Sequence, residues 1–137
     1  MALANSARVA SRRPPILMSD SEHGILVGLA TSGARRNPEA ARLLMEEADR
    51  AELVPASRLP RNVVALGSHV LFTDAANGIT RRVQLVLPAE ADIGQGRISI
   101  LSLVGAGLIG LRAGQSIDWP VQDGTLRRLT VNEVRNP

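Results

Sequence analysis

The chain has no cysteine, no tyrosine and no lysine, and only one phenylalanine, Phe72, and one tryptophan, Trp119. Without cysteine there are no disulfides and no thiolate metal sites, a usage that suits a reducing cytoplasm. Two aromatic rings cannot wall a ligand pocket, so the core must be built from Leu, Val, Ile and Ala. All 16 basic residues are arginine and the net charge is +3. That balance falls short of the concentrated basic stripe that marks a nucleic-acid-binding domain. No apolar run reaches the ~18–20 residues of a membrane span. The two histidines, His23 and His69, are far apart and lack metal-ligand spacing. No serine sits in a Gly-x-Ser-x-Gly elbow, and no glycine cluster ends in Lys-Ser/Thr. No catalytic residue, metal site or cofactor is expected, and no membrane partner.

What is present falls into three parts. Residues 1–15 are acid-free, rich in Arg, Ser and Ala, and end in Pro14-Pro15; they are expected to form a disordered tail. Ile16, Leu17 and Met18 open the ordered chain as a hydrophobic staple. Residues 16–54 read as a short helical hairpin. Ser19 and Glu22 have the spacing of a capping box, in which Glu22 reaches back to the Ser19 N–H. The first helix then shows Ile25, Leu26 and Leu29 on one side and fades at Gly33. Asn37-Pro38-Glu39 supplies the cap, first-turn proline and dipole-favouring acid of a second helix. Its apolar stripe is Ala40, Leu44, Ala48 and Ala51, with Leu43 beside it. Two helices on a short loop are expected to fold back antiparallel. Seven acids oppose four arginines in this part, yet its tip carries Arg35 and Arg36 and no acid. Glu46, Glu47 and Asp49 read as a solvated face, pairing at the surface with Arg42 and Arg50.

From residue 55 the period becomes strand-like. A linker over residues 55–61 leads to strands at 63–66, 69–72, 80–87, 97–100, 116–119 and 125–134. Asn77-Gly78 and Asp123-Gly124 mark tight turns. Between two of these strands lies Leu-Val-Gly-Ala-Gly-Leu-Ile-Gly-Leu, residues 103–111. Three glycines weaken a helix by roughly 1 kcal/mol each, so their presence predicts close packing against a sheet. Gly105-Ala-Gly-Leu-Ile-Gly110 also fits a dinucleotide fingerprint, but no parallel βαβ unit surrounds it. The reading is an α+β chain, with a hairpin over 16–54 and an antiparallel sheet domain with one short helix over 55–137.

Glu47-Ala-Asp-Arg-Ala51, Val63-Val64, Gly67-Ser68-x-Val70, residues 104–114 and Ser116-Ile117-x-Trp119 together resemble the GreA/GreB transcript-cleavage factor superfamily, most of all its Rnk branch, the regulators of nucleoside diphosphate kinase. The resemblance covers residues 16–134. It implies an FKBP-like twisted antiparallel sheet on one short helix, and a cytoplasmic, monomeric regulator. It also implies bacterial RNA polymerase as partner, bound at the rim of the secondary channel by the region of Ser102, Leu103, Val104 and Gly105. Family members often carry proline where this chain has Leu103. In cleavage factors a long coiled coil enters the channel and acids at its tip help hold magnesium. Here the first helix, of ~11–14 residues, spans only about 17–21 Å, and Arg35 and Arg36 occupy the tip. The implied role is to compete with cleavage factors at the docking site without stimulating cleavage. Two alternatives stand beside it. One is weak nucleic-acid binding through Arg58, Arg61, Arg81, Arg82, Arg127 and Arg128; the other is an FKBP-type prolyl isomerase, which the shortage of aromatics disfavours.

Overall fold

The computed structural model describes residues 13–120 and 124–137. The staple expected at residues 16–18 is part of a strand, β1 (Leu17–Ser19), which pairs in parallel with β2 (Glu52–Val54). Ile16 and Met18 are buried. Between these strands run α1 (Asp20–Ser32) and α2 (Pro38–Arg50), packed on each other as a helical hairpin. The Ser19 hydroxyl caps α1 by accepting from the Glu22 N–H at 3.1 Å. The other half of the expected capping box does not form. The Glu22 carboxylate accepts instead from the Leu66 N–H at 3.1 Å, tying α1 to the sheet side of the molecule. Leu26 and Ala30, four residues apart, form the buried line of α1, and Ile25 faces solvent at 52 % exposure. In α2 the expected stripe is buried at Ala40, Leu43, Leu44 and Ala48. Pro38 opens the helix, but the Asn37 side chain makes no capping bond.

The remaining strands are β3 (His69–Asp74), β4 (Ile79–Val86), β5 (Arg97–Ser99), β6 (Ser116–Pro120) and β7 (Leu126–Arg135). They form a five-stranded sheet in the order β5-β4-β3-β7-β6. Gly78, at φ +69°, turns β3 into β4 as the Asn77-Gly78 pair predicts. The Asp123-Gly124 turn falls partly outside the described residues. Two expectations fail here. The sheet is mixed, because β5 lies parallel to β4. Two 3₁₀ turns, Pro88–Glu90 and Ile93–Gln95, carry the chain back, giving the crossover that parallel neighbours require. The strand expected at 63–66 also does not join the sheet. Val64 instead exchanges backbone hydrogen bonds with Gly110 and Leu111, each at 2.9 Å. Opposite Leu71 and Phe72, β7 takes an extra residue at Asn132, a bulge that lets its inward side chains keep facing the core.

Among the described residues, the single α-helix after the hairpin is α3 (Leu103–Leu108). A Cβ on Gly105 would strike the Ser99 carbonyl oxygen, and one on Gly107 would lie 2.8 Å from the Trp119 ring. The Trp119 Nε1–H donates to the Leu103 carbonyl at 2.6 Å. The glycines thus bring the α3 backbone onto the indole, as their spacing predicts. One buried cluster runs without a break through Leu26 of α1, Leu44 of α2, Leu108 of α3 and Val70, Trp119 and Val131 of the sheet.

Candidate docking groove

Ser99 ends β5 and the chain turns at once into α3. The Ser102 hydroxyl donates to the Ser99 carbonyl at 2.6 Å and accepts from the Gly105 N–H at 3.0 Å, so it caps this six-residue helix. Both of its hydrogen-bonding directions are thereby used within the chain. Leu103 and Val104 follow, each half-buried, and Gly105 is buried behind them. Of the four residues expected to meet a partner, Leu103 and Val104 therefore offer side-chain surface, Ser102 holds the turn, and Gly105 offers none.

Leu103 and Val104 line an open groove of about 760 Å³. Phe72 and Val83 of the sheet, Ile93 and Ile98, and Asn37, Pro38, Glu39 and Ala40 at the start of α2 also line it. The hairpin tip is thus brought against the start of α3. A Cβ on Gly33 would come within 2.5 Å of a Leu101 methyl group, so the tip is seated at that point by a glycine. Arg35 and Arg36 lie exposed in the turn before α2 and make no ion pair among the described residues. Sequence spacing separates tip and α3 by some 65 residues and carries no signal of their contact.

The charges at the groove are unequal. Glu39 is held by Arg42 at 2.5 Å, and Arg127 by Asp74 at 2.9 Å. Arg81, exposed on β4, has no ion-pair partner among the described residues. The first turn of α2 adds N–H groups that no side chain caps. The six arginines of the nucleic-acid reading do not share a face. Arg81 and Arg127 reach the groove; Arg82 and Arg128 alternate to the other side of the sheet, near Glu133 at 3.9 Å and Asp118 at 3.1 Å. Arg58 and Arg61 lie outside the sheet altogether.

The other end of the hairpin contains what sequence reasoning missed. Glu47, expected on a solvated face, is fully buried. Its carboxylate accepts two bonds from Arg50, at 2.8 and 2.7 Å, and one from Arg13 at 3.2 Å. Arg13 also pairs with Glu46 at 3.0 Å and lies 5.0 Å above the Trp119 ring. The Arg50 guanidinium donates to the Pro14 carbonyl at 2.5 Å, and Gln115 donates to the Pro15 carbonyl at 3.2 Å. Residues 13–15 are therefore clasped between the hairpin and the sheet, although the sequence places them in a disordered tail; residues 1–12 of that tail lie outside the described residues. The available signal was register: Glu47 stands four residues after Leu43 and three after Leu44, on the apolar stripe itself.

His23 contacts the Ala48 carbonyl at 3.2 Å. Among the described residues no group of three acids or histidines could hold a metal ion. Burial pushes the Glu22 carboxyl above its ordinary value, an effect opposed by the Leu66 N–H. Among the described residues no helix is long and apolar enough to cross a membrane.

The family described as transcription elongation factor, GreA/GreB, C-terminal matches residues 59–136. The chain is 33% identical over 122 residues to the regulator of nucleoside diphosphate kinase of Escherichia coli, covering 89% of this chain and 90% of that protein. It is 34% identical over 77 residues to transcription elongation factor GreA of Christiangramia forsetii, a match that spans 56% of this chain and 49% of that one. Among solved structures it resembles a prokaryotic transcription elongation factor GreA/GreB from Nitrosomonas europaea. The TM-score there is 0.66 at 31% identity, over 90% of this chain and 99% of the other.

Proposed function

Because the chain belongs to the GreA/GreB family of transcription elongation factors, on the side of its regulators of nucleoside diphosphate kinase, we propose that it regulates transcription by binding bacterial RNA polymerase. In this reading it docks at the rim of the secondary channel, competes there with cleavage factors, and stimulates no transcript cleavage. The observation that carries the reading is the open groove beside Leu103 and Val104, the residues at the family's contact region. Its apolar walls suit a protein surface, since burying them removes Ile93, Leu103 and Val104 from water. Leucine in place of a family proline at residue 103 leaves the contact apolar.

The inability to assist cleavage follows from the tip. At 13 residues α1 is about 20 Å long, and the tip is packed beside α3. Its free charges are Arg35 and Arg36, and guanidinium groups repel the divalent cation that oxygen ligands hold. The role is therefore occupancy of a site rather than catalysis. An FKBP-like sheet over 55–137 and a hairpin module over 16–54 belong to the same proposal. An effect on nucleoside diphosphate kinase, which the name of the Escherichia coli relative suggests, would then run through transcription. Immobilised chain should retain core polymerase from a nuclease-treated bacterial lysate at moderate salt, and a cleavage factor should displace it. Stalled elongation complexes should show no added RNA cleavage. Loss of polymerase at moderate salt, or cleavage above background, overturns the reading.

A further inference from the structure

Within that reading, we infer that the groove between the start of α2 and the start of α3 receives a protein segment in which a carboxylate stands among apolar side chains, and that Arg81 pairs with this carboxylate. The inference rests on the proposed docking for its partner but on the groove alone for its chemistry. Ile93 is 80 % exposed, the most exposed of the large hydrophobic side chains among the described residues. With Leu103 and Val104 it offers aliphatic surface in a groove also lined by the buried Phe72 and Val83. An apolar lining needs apolar groups opposite it.

Charge selects the rest. The acid on the lining, Glu39, is neutralised by Arg42, and Arg127 is neutralised by Asp74. Arg81 is the lining cation without an ion-pair partner among the described residues. The first turn of α2, uncapped by Asn37, lines the same groove and adds its positive end. The field in the groove is thus positive over an aliphatic surface, and an anionic apolar segment complements it. A planar guanidinium also favours a carboxylate geometrically, through two parallel N–H donors.

Other occupants fit less well. The chain's own residues 1–12 carry Arg8 and Arg12 and no acid, so like charge opposes their docking beside Arg81. A nucleic acid needs cations spaced along its phosphates and exposed rings for its bases. Here one arginine on the groove, Arg81, lacks an ion-pair partner among the described residues, and Phe72 is 2 % exposed. The hairpin itself lines the groove, so the bound segment touches both α2 and α3, and the tip becomes part of the docking surface rather than a separate probe.

The test has two arms. In the first, core RNA polymerase is titrated against wild-type chain, Arg81→Glu and Arg82→Glu. Arg82 is the neighbour on β4 that lies on the opposite face of the sheet, so its reversal controls for net charge. Arg81→Glu is expected to weaken binding tenfold or more, and Arg82→Glu to stay within twofold. Equal effects of the two reversals, or none from Arg81→Glu, overturn the inference. In the second arm, p-benzoylphenylalanine replaces residue 93 and the crosslinked peptide is sequenced from cells. An acidic, apolar protein segment supports the inference even if wild-type chain fails to bind polymerase, the result that would sink the docking reading alone. Crosslinks to nucleic acid, to a second copy of the chain, or to nothing overturn it.

Discussion

The two ends of the hairpin are built on opposite principles. At its base, Glu47 is buried and saturated by Arg13 and Arg50, and Arg13 continues onto Trp119. At its tip, Arg35 and Arg36 are exposed and unpaired among the described residues, the Asn37 cap is unused, and an aliphatic groove opens beside them. One end satisfies its polar groups internally and fixes the hairpin on the sheet. The other leaves charge and apolar surface available. Stability belongs to the base, and the recognition proposed above to the tip.

Breaking the clasp should have the largest effect. Glu47→Ala removes the carboxylate from two guanidinium groups in a buried position, a loss of about 3 kcal/mol to be read by denaturant unfolding. A loss below about 0.5 kcal/mol, the usual effect of a surface substitution, would move Glu47 back to a solvated face. Gly107→Ala tests the other approach to the same indole. Its Cβ would lie 2.8 Å from the Trp119 ring. Overpacking of this kind costs about 1–3 kcal/mol, offset in part by the better helix propensity of alanine. The matched control runs the other way. Gly24 and Gly28 of α1 have nothing within 4 Å of an added Cβ, so alanine at either should stabilise by about 0.5–1 kcal/mol. If Gly107→Ala also stabilises, the close contact with the indole is absent in solution.

Smaller effects sharpen the contrast. Glu22 sits near the base with its pKa raised by burial. A carboxyl raised in the folded state contributes its full stability below the ordinary carboxylate range and loses it as pH rises through the folded value. Glu22→Gln keeps an acceptor for the Leu66 N–H and does not ionise. It should therefore gain on wild type through that window and hold the gain at neutral pH, as unfolding measured across pH would record. A variant less stable than wild type at neutral pH would mean that the Leu66 bond to the charged form outweighs burial. At the tip, Arg35→Ala and Arg36→Ala should each change stability by less than about 0.5 kcal/mol. A larger loss would show that the tip, too, is held from within.

Much of the local structure was legible because it depends on neighbours in sequence. Ser19, the stripe from Ala40 to Ala48, Pro38 and Asn77-Gly78 act over one turn of chain, and each produced its element. The crowded glycines announced close packing before any partner was known. The strand at 63–66 and the antiparallel β5 were misread because pairing is decided across space: Val64 finds Gly110 and Leu111, and β5 finds β4 from the parallel side. Of the groove, Leu103 and Val104 were singled out through family likeness, and their part in docking is a proposal. Its lining at residues 37–40 was not legible, since it exists only when the hairpin lies on the sheet.

The sequence by itself determined that the chain is α+β, that its core is aliphatic, that its tip is basic, and that α3 must press on another backbone. These follow from composition, period and the missing Cβ. Only the tertiary structure decided that Arg13 belongs to the fold and that tip and α3 share one groove, whereas the burial of Glu47 was already marked by its register on the apolar stripe. A carboxylate goes inside only when cations pair with it; Arg50 does so from the next turn of the same helix, but Arg13 stands 34 residues from Glu47 along the chain. Local periodicity has no access to that meeting.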